Sequence, residues 1–182
     1  QFPAIYPFQG SKYYIKRKYQ PLEGKIYEPV EAVMILHDPL DWAIEAQVLT
    51  DVLIGGSPPG AGNSDSTHVP IYISNPDFTF AGEYPFTRFA AGAFADILRL
   101  LFEKRFGSEL KIKEYGKPTT ETFQYAERLL KGQWKNVIDR IHMVGDNPSG
   151  DIRGANNAGA HWTSNLVRTG VFVGGENDPT DP

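Results

Sequence analysis

Two carboxylates stand five positions apart in the run Gly145-Asp146-Asn147-Pro148-Ser149-Gly150-Asp151. The residues before it, Arg140 to Gly145, are mostly apolar and read as a buried strand, while Pro148 suits the first turn of a helix. Asp146 therefore leaves a strand end and Asp151 falls in the first helical turn, so both can converge on one small cation. Magnesium takes oxygen ligands and keeps several waters, so one or two protein carboxylates suffice when a phosphate supplies another oxygen. The same spacing equally suits an ordinary helix start, with Asp151 favouring the helix N-terminus and Asp146 and Asn147 acting as caps. A second feature is Tyr115-Gly116-Lys117-Pro118, which also ends a strand and precedes a helix. An ammonium placed there can meet phosphate oxygens or hold a carboxylate ionised. A lysine in a surface turn has the same local sequence.

The elements that must position these residues follow from periodicity. Val30 to His37 is a bounded, mostly apolar run that predicts a buried strand. Asp41 then caps a helix to about Asp51, with Gly55-Gly56 closing its apolar face. Residues 57–68 read as a surface loop, Val69 to Ser74 as a short strand, and Asn75-Pro76-Asp77 as a turn. A longer helix is expected from about Phe86 to Phe106. The strand Lys111 to Tyr115 follows, and then a helix capped by Thr119 or Thr120 and running to about Lys131. Arg140 to Gly145, a helix over about 148–157 and a last strand, Trp162 to Val167, complete the pattern. Strands alternating with helices predict a mainly parallel sheet covered by helices, with functional loops beyond the carboxyl ends of the strands. The aromatic- and lysine-rich segment 1–29 is read as irregular, and the tail from Gly174 to Pro182 as mobile.

Composition narrows the function classes. A chain of 182 residues with 41% hydrophobic residues can bury a real core. A net charge of −4, from 18 basic and 22 acidic residues, provides no basic field for a phosphate backbone and argues against nucleic acid as a partner. With no cysteine there are no disulfides and no thiolate metal ligands. No apolar run approaches a membrane span, which argues against a membrane partner. His37, His68, His142 and His161 form no metal-ligand spacing, and His142, inside an apolar strand, reads as a core histidine. The Phe and Tyr cluster at 78–89 suits either a substrate-facing surface or helical core positions.

Lys117 and the Asp146 loop, in this order and about 30 residues apart, resemble the third and fourth motifs of the haloacid dehalogenase superfamily. With Asn75-Pro76-Asp77, the run Val144 to Gly159 and the stretch His37 to Gly56, the resemblance is to its class IIA branch, the NagD and pyridoxal-phosphatase type. It covers Val30 to Phe172 and implies an α/β chain: part of a three-layer Rossmann-like core plus much of an α/β cap. Residues 1–112 correspond to cap sequence and 113–182 to the C-terminal part of the catalytic core. The implied activity is hydrolysis of a small phosphorylated metabolite with Mg2+ through an aspartyl-phosphate. Lys117 then steadies the nucleophile and phosphate charge, Asp146 is a magnesium ligand, and Asp151 is its supporting carboxylate. Asn147 shapes the loop, and Asn75 and Asp77 lie at a substrate-proximal hinge of the cap. The family's nucleophile motif, two aspartates separated by one residue, does not occur in the 182 residues. Asp38-Pro39-Leu40-Asp41 has the wrong spacing for it. The sequence thus suggests the C-terminal part of a phosphatase, its partner being the missing N-terminal half; the alternative is a non-catalytic binding or self-associating module. The resemblance leaves localisation between mitochondrion and cytoplasm.

Overall fold

Strand and helix alternate along most of the computed structural model, which describes residues 29–56, 60–62, 68–134 and 137–175. The expectations for 1–28, for most of the 57–68 loop and for the tail after 175 lie outside the described residues.

The first strand is β1 (Val33–Ile35), and the alternation of buried Val33 and Ile35 with exposed Met34 matches the two-residue period of a strand. Helix α1 (Trp42–Leu53) starts where Asp41 accepts the backbone N–H of Ile44 at 3.2 Å, and Trp42 Nε1 also returns a bond to the Pro39 carbonyl at 3.0 Å. It ends before Gly55 and Gly56, whose φ values of 72° and 90° lie in the region glycine tolerates best. Strand β2 (Ile71–Ile73) is followed by β3 (Thr79–Phe80) and β4 (Arg88–Phe89), an antiparallel pair. Helix α2 (Ala91–Phe106) comes next, then β5 (Ile112–Glu114) and α3 (Thr120–Gln133). Strands β6 (Ile141–Gly145) and β7 (Trp162–Leu166) are parallel, with Ile141 opposite Trp162 and Gly145 opposite Leu166. The connection between them is a π-turn at Pro148–Ile152 and helix α4 (Arg153–Ala158). Strands β1, β2 and β5 form a three-stranded sheet in the order β1-β2-β5. The fold is therefore a mixed α/β arrangement containing a β6-helix-β7 crossover of the kind parallel pairing requires.

Two features differ from the expectations. The long helix begins at Ala91 rather than near Phe86, because Arg88 and Phe89 pair with Phe80 and Thr79. The aromatic cluster consequently lies on a hairpin and its flanks, and Phe78, Tyr84, Phe86 and Phe89 are exposed instead of core. His142 is likewise exposed, since β6 turns it away from the buried side that Ile141 occupies.

The described residues form two compact units, one within 29–34, 39–72 and 96–112, the other within 35–38, 73–95 and 113–175. In the first, Val33, Ala46, Leu53, Val69, Ile71, Leu98, Phe102 and Leu110 are buried. His68 lies edge-on to Phe102 and accepts the Lys111 N–H at 3.2 Å through Nε2. The second buries Ile73, Phe94, Phe123, Ile141, Ile152 and Ala155. There α3 meets α4 closely because residue 154 is glycine: a Cβ on it would overlap the Phe123 ring. Phe123 also stacks edge-on against Trp162 of β7, with centroids 5.2 Å apart. Among the described residues no helix is long and apolar enough to cross a membrane.

Candidate functional site

The candidate site lies in the second unit, at the carboxyl ends of β5 and β6. Strand β5 leads into Gly116, whose φ of 92° and tight approach to the 74–76 backbone suit a residue without Cβ; a Cβ there would come within 2.5 Å of the Ser74 carbonyl oxygen. Lys117 follows immediately. Thr119, at the N-cap position of α3, makes no side-chain capping bond to a helix N–H; its hydroxyl lies 3.0 Å from that of Thr122 and donates to the Gly116 carbonyl at 2.6 Å, which fixes the lysine turn.

At the end of β6, Asn147 caps the following turn. Its Oδ1 accepts the N–H groups of Ser149 and Gly150 at 3.1 and 3.3 Å and the Ser149 hydroxyl at 2.8 Å. The Ile152 N–H reaches back to the Asn147 carbonyl at 3.4 Å, the five-residue spacing that makes the turn a π-turn. This wider first turn carries Asp151 inward, where only 2% of its side chain is exposed. Room for that carboxylate exists because residue 145 is glycine, where a Cβ would collide with it.

Lys117 Nζ lies 2.6 Å from Asp151 Oδ1, and the backbone N–H of Asn147 donates to Asp151 Oδ2 at 3.0 Å. Both oxygens of Asp151 thus have protein donors. Asp146, half-buried, accepts the Val171 N–H on Oδ2 at 2.6 Å, and residue 170 must be glycine-sized beside it. Asn147 Nδ2 donates to Asp77 Oδ1 at 3.2 Å, and Asp77 N–H donates to Asn75 Oδ1 at 3.1 Å. The structure therefore gathers Lys117, Asp77, Asn147 and Asp151 into one hydrogen-bonded cluster with Asp146 beside it. Asn75 enters through the Asp77 backbone N–H, and a side-chain hydrogen bond from it also favours the charged form of the Asp77 carboxyl.

The electrostatics follow from one cation among three carboxylates. Burial disfavours the Lys117 ammonium, but the hydrogen bond and charge of Asp151, with Asp77 and Asp146 adding to them, hold its pKa above the ordinary lysine value. For Asp77, burial is the largest influence and raises the carboxyl above its usual range; Lys117 opposes this and Asp151 reinforces it. The surplus negative charge and all-oxygen donors fit a hard divalent cation. Among the described residues no three His, Asp or Glu side chains converge as a ready metal cage. A cation held here would consequently depend on water, substrate oxygens and carboxylates beyond Asp146 and Asp151.

The other acidic candidate has a structural task. Asp38 Oδ1 accepts the Ala91 N–H at 2.7 Å at the start of α2, while Asp41 caps α1. Sequence reasoning missed Asp38 as a helix acceptor because its partner lies 53 residues away.

A family model described as HAD-hydrolase-like matches residues 114–181. A cardiolipin synthase (CMP-forming) / mitochondrial hydrolase fusion protein of Schizosaccharomyces pombe is 39% identical over 163 residues, covering 85% of this chain and 27% of its own length. A mitochondrial hydrolase of Saccharomyces cerevisiae is 34% identical over 176 residues, covering 81% of this chain and 49% of its own. The chain therefore spans between about a quarter and a half of these relatives. Among solved structures, a possible sugar phosphatase of the HAD superfamily from Cytophaga hutchinsonii superposes with a TM-score of 0.51 at 23% identity, over 73% of this chain and 41% of that one. This last likeness is one of fold.

Proposed function

Because the chain belongs to the haloacid dehalogenase-like hydrolases, we propose that it is the C-terminal part of a magnesium-dependent phosphatase acting on a small phosphorylated metabolite. The observation that carries this reading is the Lys117–Asp151 pair at 2.6 Å, formed between two strand exits and set beside Asp146. Lys117, its side chain 35% exposed, is held charged by a buried carboxylate and keeps donors for an anionic oxygen. Asp146 is the magnesium contact of this chain. Asp151, with both oxygens engaged by Lys117 and the Asn147 amide, orients the lysine and the loop rather than binding the ion itself. When bound, the cation supplies charge neutralisation at the phosphoryl oxygens. The nucleophile aspartate comes, on this reading, from sequence outside these 182 residues, in keeping with the greater length of the relatives. Their descriptions as mitochondrial hydrolases favour a mitochondrial setting.

The test is an assay of the longer protein with an aryl phosphate and magnesium. Lys117→Ala and Asp146→Asn each lower kcat by about 100-fold or more, the range for loss of one preorganised charge-stabilising group. Turnover that survives both substitutions, or needs no divalent ion, rejects the assignment.

A second reading, a binding or self-associating module, is favoured by the apolar groups this unit leaves exposed, including Trp134, Val137 and Val144. It gains if the longer protein has no phosphatase activity and the chain associates.

A further inference from the structure

Asp77 is half-buried, costly to keep charged, and makes no ion pair of its own among the described contacts. Burying a carboxylate is costly unless hydrogen bonds compensate, and here the Asn147 side chain supplies one at 3.2 Å. We propose that Asp77 is a positioning residue: through Asn147 it holds the 147–150 turn, and so sets the place of Asp146 and of the Asp151–Lys117 pair. Its catalytic consequence rests on the phosphatase reading, whereas its structural half does not.

The geometry is over-determined on the Asn147 side. The Asn147 amide oxygen already accepts from two backbone N–H groups and the Ser149 hydroxyl. That arrangement leaves Nδ2 as the end of the amide facing Asp77, and fixes the orientation by chemistry rather than by choice between two similar atoms. Asn147 is buried, with 9% of its surface exposed, so an unpaired Nδ2 would carry the full cost of a lost hydrogen bond. Asp77 Oδ1 accepts from it at 3.2 Å.

Asp77 is equally fixed on its own side. Its N–H is held by Asn75 Oδ1, and its carbonyl accepts the Gly92 N–H at 2.9 Å in the first turn of α2. Residue 92 must be glycine, because a Cβ there would overlap the Pro76 carbonyl. Residue 150 is a second glycine in the contact: a Cβ on it would come to 3.2 Å from Asp77 Oδ1. The 75–77 turn is thereby seated against a helix start on one side and against the acidic loop on the other. Its carboxylate is the side-chain link between the two, joining residues 70 apart in sequence.

The experiment compares Asp77→Ala, Asp77→Asn and Asn147→Ala in the longer protein, with 15N-labelled samples of each. Asp77→Ala lowers kcat about 10-fold with KM changed less than about twofold, in the range for loss of an outer partner of a metal site. It also shifts the Asn147 side-chain amide and the Ser149 and Gly150 backbone amides. Asp77→Asn keeps an acceptor at Oδ1 and returns both readouts to near wild type. Asn147→Ala has the same kcat effect, and the Asp77→Ala/Asn147→Ala double variant is no worse than either single one. A rise in KM with kcat retained places Asp77 against substrate and overturns the proposal, as does an Asp77→Ala spectrum changed only at 74–78. Failure of the wild-type protein to hydrolyse any phosphate rejects the phosphatase reading, and the amide shifts then still decide whether Asp77 holds the turn.

Discussion

Asp151 sits in an environment that bears directly on stability. It is almost wholly buried and takes its charge partner from Lys117, so removing that partner strands a carboxylate in the interior. Lys117→Met is expected to lower unfolding free energy by about 2–4 kcal/mol, somewhat below the usual cost of breaking a buried pair because water can reach part of the Lys117 side. Urea unfolding measures it, and a loss under about 0.5 kcal/mol, typical of surface pairs, contradicts the picture. Glu127 provides a pH-dependent case. Its hydrogen bonds to Lys131 at 2.5 Å and to His161 at 3.0 Å lower its pKa to about 2 from an ordinary value of 4.5. A carboxyl depressed in the folded state contributes stability above its unfolded pKa and loses it as pH falls through the folded one. The contribution is therefore complete above pH 4.5 and disappears towards pH 2. Glu127→Gln is expected to flatten the pH dependence of the urea midpoint across that window.

The elements were legible where their ends carry chemistry. Asp41 and the Gly55-Gly56 pair marked α1 to within two residues, and the apolar run before Asp146 marked β6. Hidden were the interactions that join distant segments. Phe78 to Phe89 contains Gly82 and Pro85 but no two-residue Asn-Gly or Asp-Gly signal, so the antiparallel pairing of Thr79 with Phe89 could not be read from periodicity. The spacing of Asp38-Pro39-Leu40-Asp41 spoke against the nucleophile motif, but nothing in it announced the Ala91 N–H that Asp38 accepts at the start of α2. For the site, types and spacing suggested Asp146 and Asp151, but the Asp151–Lys117 and Asp77–Asn147 contacts span 34 and 70 residues and exist only in the fold. Close approach was also unreadable, since a glycine has no Cβ to announce what lies against it. Gly145→Ala and Gly154→Ala are expected to cost about 1–3 kcal/mol each through overpacking, the first against the Asp151 carboxylate and the second against Phe123. Thermal melts check this, with Gly132→Ala as the comparison, because a Cβ at 132 meets nothing within 4 Å. Asp41→Ala, losing its bond to the Ile44 N–H, is expected to cost about 1 kcal/mol as an N-cap.

Among the described residues many large apolar groups are exposed. In the unit that holds the site, Leu129, Leu130, Trp134, Val137 and Val144 are exposed on α3, on the segment after it and on β6. Trp134 is 65% exposed and Val144 62%, and burying side chains of this size is worth about 1.5–3 kcal/mol each. Large contiguous apolar patches are rare on monomeric proteins, so exposure of this kind is tested by association. The chain spans 27% and 49% of its two relatives' lengths, so in proteins of their size further sequence is available to cover this surface. The 182-residue chain alone is therefore expected to associate in the micromolar range, with light scattering giving a mass above the 20.3 kDa of one copy. Trp134→Glu and Val144→Lys together should return it to monomer with circular dichroism unchanged, because both side chains are outside the core. The opposite arm decides what the surface is for: if the longer protein is monomeric at the same concentration and the double substitution there destabilises it, the face is an intramolecular one. If the 182-residue chain is strictly monomeric, these apolar groups are simply solvated and the argument from exposure fails.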